Sequence, residues 1–267
     1  MSKEITVLDT IATYTGQRIK EQKKSIPLSV VRAEAEKIEA VKFGFENALK
    51  KPGLSFICEC KKASPSKGII SKDFPYLSIA KEYEDAGADC ISVLTEPRWF
   101  LGSDKYLKEI SNTVNVPLLR KDFTVDEYMI YEAKAMGASC ILLICSILSV
   151  EEMQYFKDIS DDLGLSALVE CHDEAEIEKA LKINARMIGV NNRNLKDFSV
   201  DTGNSKRLRS LVPQDILFVS ESGVKSPEDI KNIIDMGADA ALIGEVLMRA
   251  ESKKFTLNWL KGKYDKD

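Results

Sequence analysis

The chain has 267 residues, of which 44% are hydrophobic and 30% charged, so it is long enough to bury a sizeable core. Its 38 basic and 42 acidic residues are interleaved and give a formal net charge of -4, which leaves no basic stripe to neutralise a nucleic-acid backbone. No apolar run reaches the roughly 20 residues needed to cross a bilayer, and residues 1–4 lack the start of a secretory signal. We expect a cytoplasmic protein that binds neither nucleic acid nor membranes.

Residues 1–50 are charged, with apolar positions such as Leu8, Ile11 and Ala12 at helical spacing. This pattern predicts an N-terminal helical extension that packs on the main domain. Pro52 and Gly53 then mark the passage into the first strand.

Eight apolar runs follow the N-terminal segment. In four segments a charged helical stretch ends at a small residue and an apolar run comes next, namely 85–94, 135–144, 181–190 and 235–244. Gly87, Gly137, Asn184 and Gly237 in these segments are predicted to be left-handed helix caps. Further apolar runs lie between them, at 55–60, 116–121, 165–170 and 216–220.

The spacing of these runs indicates the fold class. They recur about every 20 to 35 residues with helical patterns between them, as consecutive βαβ units do. Most lack polar alternation, which is expected of parallel strands buried on both faces. Eight units predict an α/β fold, a (β/α)8 TIM barrel with an N-terminal helical extension, as one domain over residues 1–267. An open doubly wound sheet is disfavoured because no Gly-x-Gly-x-x-Gly turn follows the first strand.

The six cysteines lie within or beside the apolar runs rather than in loops, which favours reduced core thiols over disulfides. Cys58 and Cys60 are too close in sequence for the usual zinc-binding pair, and His172 is the single histidine. We therefore expect no metal site and no cofactor. His172 is expected to be a structural hydrogen-bonding residue, since no nucleophile arrangement surrounds it.

Polar groups follow six of the eight predicted strands directly. Active sites of such barrels lie at the C-terminal ends of the strands. Glu59 and Lys61 are two residues apart on a strand and therefore point to the same side. With Lys121 and Glu170 they are expected to meet in the barrel mouth, where they suit proton transfer. Solvated salt bridges at strand ends are the alternative, but the number of polar strand ends favours function.

The last two strands are followed by glycine-containing loops, Ser222-Gly223 and Gly244-Glu245, each of which leads into a helical stretch. Backbone amides in such loops suit a small anion, and phosphate recurs at this position of the fold. Either glycine alone is also explained by a tight turn. A Schiff base at Lys61 or Lys121 is possible chemistry in a barrel, but nothing in the spacing requires it.

Six segments resemble, in the correct order, the strand-end motifs of indole-3-glycerol-phosphate synthases. The first contains Glu59 and Lys61, and the resemblance extends from about Leu8 to about Met248. Cys58, Cys60 and Cys171 stand where other small or aliphatic residues are expected, and these departures should alter packing rather than chemistry. The matching segments are 56–68, 118–123, 168–174, 188–195, 219–223 and 242–245.

The resemblance implies an enzyme of tryptophan biosynthesis. Its substrate would be 1-(2-carboxyphenylamino)-1-deoxyribulose 5-phosphate, converted to indole-3-glycerol phosphate with loss of carbon dioxide and water. Lys121 would be the general acid and Glu170 the base, with Lys61 either a second acid or an anion anchor. Glu59 and Asn191 would hold sugar hydroxyls, and Glu59 would also help to keep the lysines charged.

The resemblance also implies substrate contacts. Ser64 would bind the substrate carboxylate, and Arg193 is a further candidate contact. Phe100, with Trp99 as a second candidate, would form an apolar wall for the anthranilate ring, although ordinary packing at the barrel top explains these aromatics almost equally well. The expected phosphate-binding residues are Ser222, Gly223, Gly244 and Glu245.

Two other functions are compatible with a barrel of this kind. Another phosphate-binding barrel enzyme, such as phosphoribosylanthranilate isomerase, would need a different set of residues from Lys61, Lys121 and Glu170. A non-catalytic binding barrel would not need these acid and base positions, and all of them are present. The length leaves no room for a second barrel. We expect a monomer, with a weak homodimer as the alternative, and a loop at 64–68 that suits closure over substrate.

Overall fold

The computed structural model describes residues 6–39, 41–194 and 198–263. Residues 1–5, which begin the predicted N-terminal extension, lie outside the described residues, as does Leu195 at the end of the fourth matching motif.

Eight parallel strands form a closed barrel, which confirms the predicted fold class. Each barrel strand pairs with the next one along the chain, and the last pairs with the first, with Ser55 opposite Ala240. A two-stranded antiparallel hairpin, β2 with β3, follows the first barrel strand. The strands are β1 (Ser55–Cys60), β2 (Ala63–Ser64), β3 (Gly68–Ile69), β4 (Cys90–Leu94), β5 (Leu118–Lys121), β6 (Cys140–Ile144), β7 (Ser166–Cys171), β8 (Met187–Asn191), β9 (Leu217–Glu221) and β10 (Ala240–Ile243).

Helices precede the barrel and alternate with its strands. None of the described helices is both long and apolar enough to cross a membrane. The helices are α1 (Val7–Ser25), α2 (Leu28–Ala35), α3 (Gly44–Leu49), α4 (Tyr76–Asp85), α5 (Asp104–Ser111), α6 (Glu127–Ala135), α7 (Val150–Asp162), α8 (Glu174–Lys182), α9 (Gly203–Arg209), α10 (Pro227–Asp235), α11 (Glu245–Arg249) and α12 (Lys253–Leu260).

The barrel strands are buried on both faces, and their side chains alternate between two cores. On β1, Ile57 packs inside the barrel, whereas Phe56 and Cys58 pack outward under the helices. The same alternation places Leu119 and Leu168 inside. Because both faces are apolar, the strands appear in the sequence as continuous hydrophobic runs.

The predicted helix caps are confirmed. Gly87, Gly137, Asn184 and Gly237 have φ values of 75°, 86°, 51° and 77°, in the left-handed region. Each ends a helix and turns the chain into the next inner strand.

The three N-terminal helices pack on different parts of the barrel. Helix α1 begins with a capping box between Thr6 and Asp9, and its Arg18 Nη2 lies 2.8 Å from Asp122 Oδ2, directly after β5. Helix α2 packs against α6 through a buried apolar cluster. Phe45 and Leu49 of α3 are buried against the N-terminal ends of the barrel strands and close that end of the barrel.

Cysteine thiols and one arginine are buried in the barrel and its surrounding core. All six cysteines are buried and free, as predicted. Arg120 points outward from β5, is 2% exposed, and forms ion pairs of 2.6 Å with Glu132 and 2.7 Å with Asp104. A buried charge of this kind is tolerated only when it is fully paired, so Arg120 fixes the end of β5 against α5 and α6.

Two of the glycine caps offer a matched test of the outer packing. Gly137→Ala would put a methyl group 2.7 Å from Ser111 in addition to the strain of the left-handed backbone, whereas Gly237→Ala meets nothing within 4 Å. We expect Gly237→Ala to lower the free energy of unfolding by roughly 1–2 kcal/mol and Gly137→Ala to lower it further, measured by urea unfolding. Equal losses would mean that the Ser111 contact relaxes freely.

Candidate active site

A cavity of about 890 Å³ opens at the C-terminal ends of the barrel strands. This volume suits a small organic ligand. All twelve residues predicted for the site line it, namely Glu59, Lys61, Ser64, Phe100, Lys121, Glu170, Asn191, Arg193, Ser222, Gly223, Gly244 and Glu245. The structure therefore brings every predicted position together, while the role of each remains a prediction.

The alternation of the strands explains this convergence. Lys121 lies two residues after the inward Leu119, and Glu170 two residues after the inward Leu168. Glu59 stands in the same relation to Ile57. Side chains two apart on a strand share a face, so each strand continues its apolar inner face into a polar group at the mouth.

Lys121 is the central cation of the cavity. Its Nζ lies 2.7 Å from Glu170 Oε2 and 3.4 Å from Glu221 Oε2, and its side chain is 14% exposed. Burial by itself disfavours the ammonium form, but the carboxylates of Glu170 and Glu221 more than offset it, so the pKa of Lys121 lies well above its ordinary value. Lys121 is therefore a protonated donor aimed into the site.

Glu170 is the matching anion. Burial favours its neutral form, but Lys121 and then His172 outweigh burial and lower the pKa of Glu170 to about 2. Its second oxygen, Oε1, accepts a hydrogen bond of 3.3 Å from Asn191 Nδ2. Glu170 is thus ionised and held on both oxygens.

Glu221 is a cavity residue that was not predicted from the sequence. It is 2% exposed, lines the cavity at the end of β9, and its Oε1 has no hydrogen-bond partner among the described residues. Burial raises the pKa of Glu221 to about 8, against the opposing effect of Lys121 and with the support of Glu170 and Glu59. The signal was available, because Glu221 lies two residues after the inward Val219.

Glycine at position 189 makes room for this carboxyl group. A Cβ there would collide with Glu221 Oε1 and would lie 3.1 Å from Leu168 Cδ1. Gly189 therefore leaves space on the inward face of β8, and the Glu221 side chain extends across this space towards Glu170.

A second lysine and carboxylate lie on the opposite side of the cavity. Lys61 Nζ forms an ion pair with Glu59 Oε2. Both groups press against Gly244, where an added Cβ would lie 2.9 Å from Lys61 Nζ. Lys61 is thus adjacent to one of the predicted phosphate-binding loops.

The two glycine loops lie side by side above β9 and β10. Ser222 and Gly223 have φ values of 66° and 99°, and Gly244 is the residue before α11. The Glu245 side chain lies 3.7 Å from Lys67 Nζ of the β2–β3 turn and 3.2 Å from Arg249 Nε. Backbone amides and basic side chains at this position suit a phosphate group.

The apolar wall differs in part from the prediction. Phe100 lines the cavity and lies 6.3 Å from Phe123, centroid to centroid. Trp99, the second candidate, packs edge-on against Tyr14 with the ring centroids 5.3 Å apart and is not among the lining residues, which agrees with the alternative of ordinary packing at the barrel top. The rest of the wall includes residues that the sequence did not indicate, namely Val7, Leu8 and Ile11 of α1, and Leu142, Ile144 and Leu242 of the barrel.

His172, Ser64 and Arg193 each contact a neighbouring polar group of the protein. His172 Nδ1 lies 3.0 Å from Glu176 Oε2, which agrees with its predicted structural role, and its Nε2 lies 3.4 Å from Glu170 Oε1. Burial opposes protonation of His172, but the bond to Glu176 and the charge of Glu170 raise its pKa above the ordinary value. Ser64 Oγ lies 3.4 Å from Ser66 Oγ, and Arg193 donates to the Phe198 carbonyl oxygen.

Comparisons with known proteins agree with one another. A family model described as indole-3-glycerol phosphate synthase matches residues 8–260. The indole-3-glycerol phosphate synthase of Ruminiclostridium cellulolyticum is 54% identical over 257 residues, covering 96% of this chain and 99% of that protein. The one from Lachnoclostridium phytofermentans is 48% identical over 267 residues, covering 96% and 98%.

Solved structures of lower identity share the fold. The 3-hexulose-6-phosphate synthase from Salmonella typhimurium superposes with a TM-score of 0.65 at 14% identity, covering 79% of this chain and 98% of that chain. A thiamine phosphate pyrophosphorylase from Pyrococcus furiosus gives a TM-score of 0.60 at 16% identity, covering 82% and 96%.

The raised pKa of Glu221 predicts how stability depends on pH. The folded protein binds this proton more tightly than the unfolded chain, whose glutamates titrate near pH about 4.3. The resulting stabilisation is present below that pH and is lost as pH rises through about 8. Glu221→Gln should therefore lose less stability than the unaltered protein between pH about 5 and about 8, as measured by urea unfolding.

The control for this experiment is Glu251→Gln, which alters an exposed carboxylate outside the cavity. It should follow the unaltered protein at every pH. If Glu221→Gln also followed it, Glu221 would be ionised in the folded protein throughout this range.

Proposed function

The chain belongs to the indole-3-glycerol phosphate synthase family. On this basis we propose which residues of its barrel-mouth cavity act as acid, as base and as binding groups when the indole ring closes. The protein is a carboxy-lyase of tryptophan biosynthesis and acts on a small phosphorylated substrate. It converts 1-(2-carboxyphenylamino)-1-deoxyribulose 5-phosphate to indole-3-glycerol phosphate, carbon dioxide and water. The observation that supports the residue roles is the 2.7 Å ion pair between Lys121 and Glu170, both inside the cavity.

Lys121 is the proposed general acid for ring closure. The ring carbon that bears the carboxylate attacks the ribulose carbonyl, and the carbonyl oxygen becomes an alkoxide that takes a proton. An alkoxide is basic enough to take that proton even from an ammonium whose pKa is raised. Loss of the carboxylate as carbon dioxide then leaves its electron pair in the ring and restores aromaticity.

Glu170 is the proposed base for the dehydration that follows. Its pKa of about 2 reflects mainly the charge of Lys121 acting against burial. Once Lys121 has given up its proton, that charge is gone and Glu170 becomes a stronger base. It then accepts a proton from the carbon next to the ring nitrogen as the C–O bond breaks. The departing hydroxide takes up one proton from solvent and leaves as water, and Glu170 returns its own proton to Lys121, so the overall reaction consumes one proton. The acid and the base are therefore coupled through one ion pair.

The other cavity residues bind and orient the substrate in this proposal. The Gly223 and Gly244–Glu245 amides hold the phosphate with Ser222, while Ser64 and Arg193 face the substrate carboxylate. Phe100 and the apolar residues of α1 contact the anthranilate ring. Glu59 and Asn191 hold sugar hydroxyls, and Asn191 also fixes Glu170 through its 3.3 Å hydrogen bond.

Lys61 is assigned as an anion anchor. Its ammonium lies next to Gly244, beside the loop proposed to bind phosphate, and it is already paired with Glu59. A cation in that place attracts the phosphate in the ground state and the transition state alike.

We propose that the protein acts as a monomer, with a weak homodimer as the alternative. We also propose that the whole chain works as one domain, since α1 supplies part of the cavity wall, and that the protein is cytoplasmic. Specific activity should then stay constant on dilution, and a fall would indicate a dimer-dependent site.

Removal of either member of the central ion pair tests the acid and base roles. Lys121→Ala and Glu170→Gln should each lower kcat by about 100- to 10,000-fold, followed through the fluorescence of the indole product with a chelator present throughout. Lys105→Ala is the control, because this lysine of α5 is 69% exposed. Folded variants that keep full activity would refute the assignments.

The Lys61 assignment predicts a separation of KM from kcat. Lys61→Ala should raise KM and the inhibition constant of inorganic phosphate by about tenfold while kcat changes little, as for a group that binds both states equally. A large fall in kcat with KM unchanged would instead make Lys61 the second acid.

A further inference from the structure

Asn192 is a buried polar residue that the reaction scheme leaves without a role. It follows Asn191 at the end of β8, points outward from the barrel and is 4% exposed. Its Oδ1 accepts hydrogen bonds from Ser205 N at 2.9 Å and Ser205 Oγ at 2.8 Å. Two donors on one oxygen fix the orientation of the amide group, so Nδ2 must face the opposite side.

On that opposite side Asn192 holds the loop after β9. Nδ2 donates to the Ser222 carbonyl oxygen at 3.1 Å and to Ser220 Oγ at 3.3 Å. Ser222 and the following Gly223 both have positive φ, and non-glycine residues such as Ser222 adopt this backbone only when neighbouring contacts stabilise it. The contact from Asn192 is such a restraint.

The direction of one peptide group links this contact to the cavity. The Ser222 carbonyl and the Gly223 N–H belong to the same peptide unit, and the structure has no cis peptide bond among the described residues. In a trans peptide the two groups point in opposite directions. Because Asn192 binds the carbonyl from outside the barrel, the Gly223 N–H is turned away from Asn192.

The loop is also supported from behind by packing. A Cβ on Gly223 would lie 2.6 Å from Thr202 Cγ2 and 3.2 Å from Val200 Cγ1. Ser222 Oγ donates to Asn191 Oδ1 at 2.9 Å, so the two adjacent asparagines hold the same residue from both faces of β8. Asn191 lies on the cavity side and Asn192 on the helix side.

We propose that Asn192 is a positioning residue for phosphate recognition: it holds the Ser222–Gly223 peptide so that the Gly223 amide faces the substrate phosphate. This inference rests on the proposed function, because it assumes that phosphate binds at this loop. Asn192 acts through the backbone and does not touch the substrate.

The test compares three variants with two simple ligands. Asn192→Ala removes the hold on the Ser222 carbonyl. Ser205→Ala is the matched control, since Ser205 is equally buried in the same hydrogen-bond network but does not contact Ser222. Gly223→Ala displaces the loop itself. The probes are inorganic phosphate and anthranilate, each used as a competitive inhibitor, together with KM and kcat for the substrate.

For Asn192→Ala we expect KM and the phosphate inhibition constant to rise about tenfold, with kcat and the anthranilate inhibition constant unchanged. This follows because the phosphate is held equally in the ground and transition states. Ser205→Ala should match the unaltered protein for both ligands, even if it lowers stability.

Other results separate the inference from the function on which it rests. If Gly223→Ala weakens phosphate binding and Asn192→Ala does not, Asn192 has no positioning role and the phosphate site stands. If neither variant weakens it, the phosphate does not bind at this loop. If Ser205→Ala and Asn192→Ala weaken both ligands equally, the network is merely structural and the inference fails.

A second variant covers the case in which Asn192→Ala does not fold. Asn192→Asp keeps the acceptor for Ser205 but places an oxygen against the Ser222 carbonyl. Measured in about 1 M salt, where the screening length is about 3 Å, it should still weaken phosphate binding. Unaltered phosphate binding there would overturn the inference.

Discussion

The site is organised around a lysine ammonium in a place where water cannot solvate it well. Lys121 needs anionic neighbours at that depth, and Glu170 and Glu221 supply them at 2.7 Å and 3.4 Å. The carboxyl groups of Glu59, Glu170 and Glu221 share one part of the cavity with the ammonium groups of Lys61 and Lys121, and burial does not favour the excess negative charge. The raised pKa of Glu221 is the response, because a proton retained there brings the five groups to neutrality.

At the C-terminal ends of the barrel strands, the inward and outward side chains have different roles. The inward residue meets the substrate, and the outward neighbour anchors the strand end. On β5, Lys121 faces the cavity, while Arg120 is paired beneath the helices with Glu132. On β8, Asn191 and Asn192 repeat the arrangement. Precise placement of the inward groups thus depends on buried hydrogen bonds that the substrate never contacts.

The sequence predicted the fold well because the strands and caps follow local rules. Continuous apolar runs mark strands buried on both faces, and Gly137 and its equivalents mark where helices end. The same two-residue alternation that located Glu59 and Glu170 applies equally to Glu221, so this residue was omitted although its position was predictable. The sequence could not decide between the cavity wall and ordinary packing for Trp99, because this residue lies in a loop, where no alternation applies and tertiary contact with Tyr14 decides its orientation. The wall formed by α1 was likewise out of reach, since it depends on how the extension docks through Arg18.

Closure of the barrel has a consequence for folding during synthesis. Ser55 and Ala240 are neighbours in the sheet but are separated in the sequence by the six other barrel strands. During synthesis, β1 leaves the ribosome before the other barrel strands, whereas β10 and the Gly244 loop emerge after them. The nascent chain must therefore keep an unpaired edge at β1 until β10 has been translated. A truncated product that stops before residue 240 would expose that edge, so quality control and aggregation, rather than catalysis, would decide its fate.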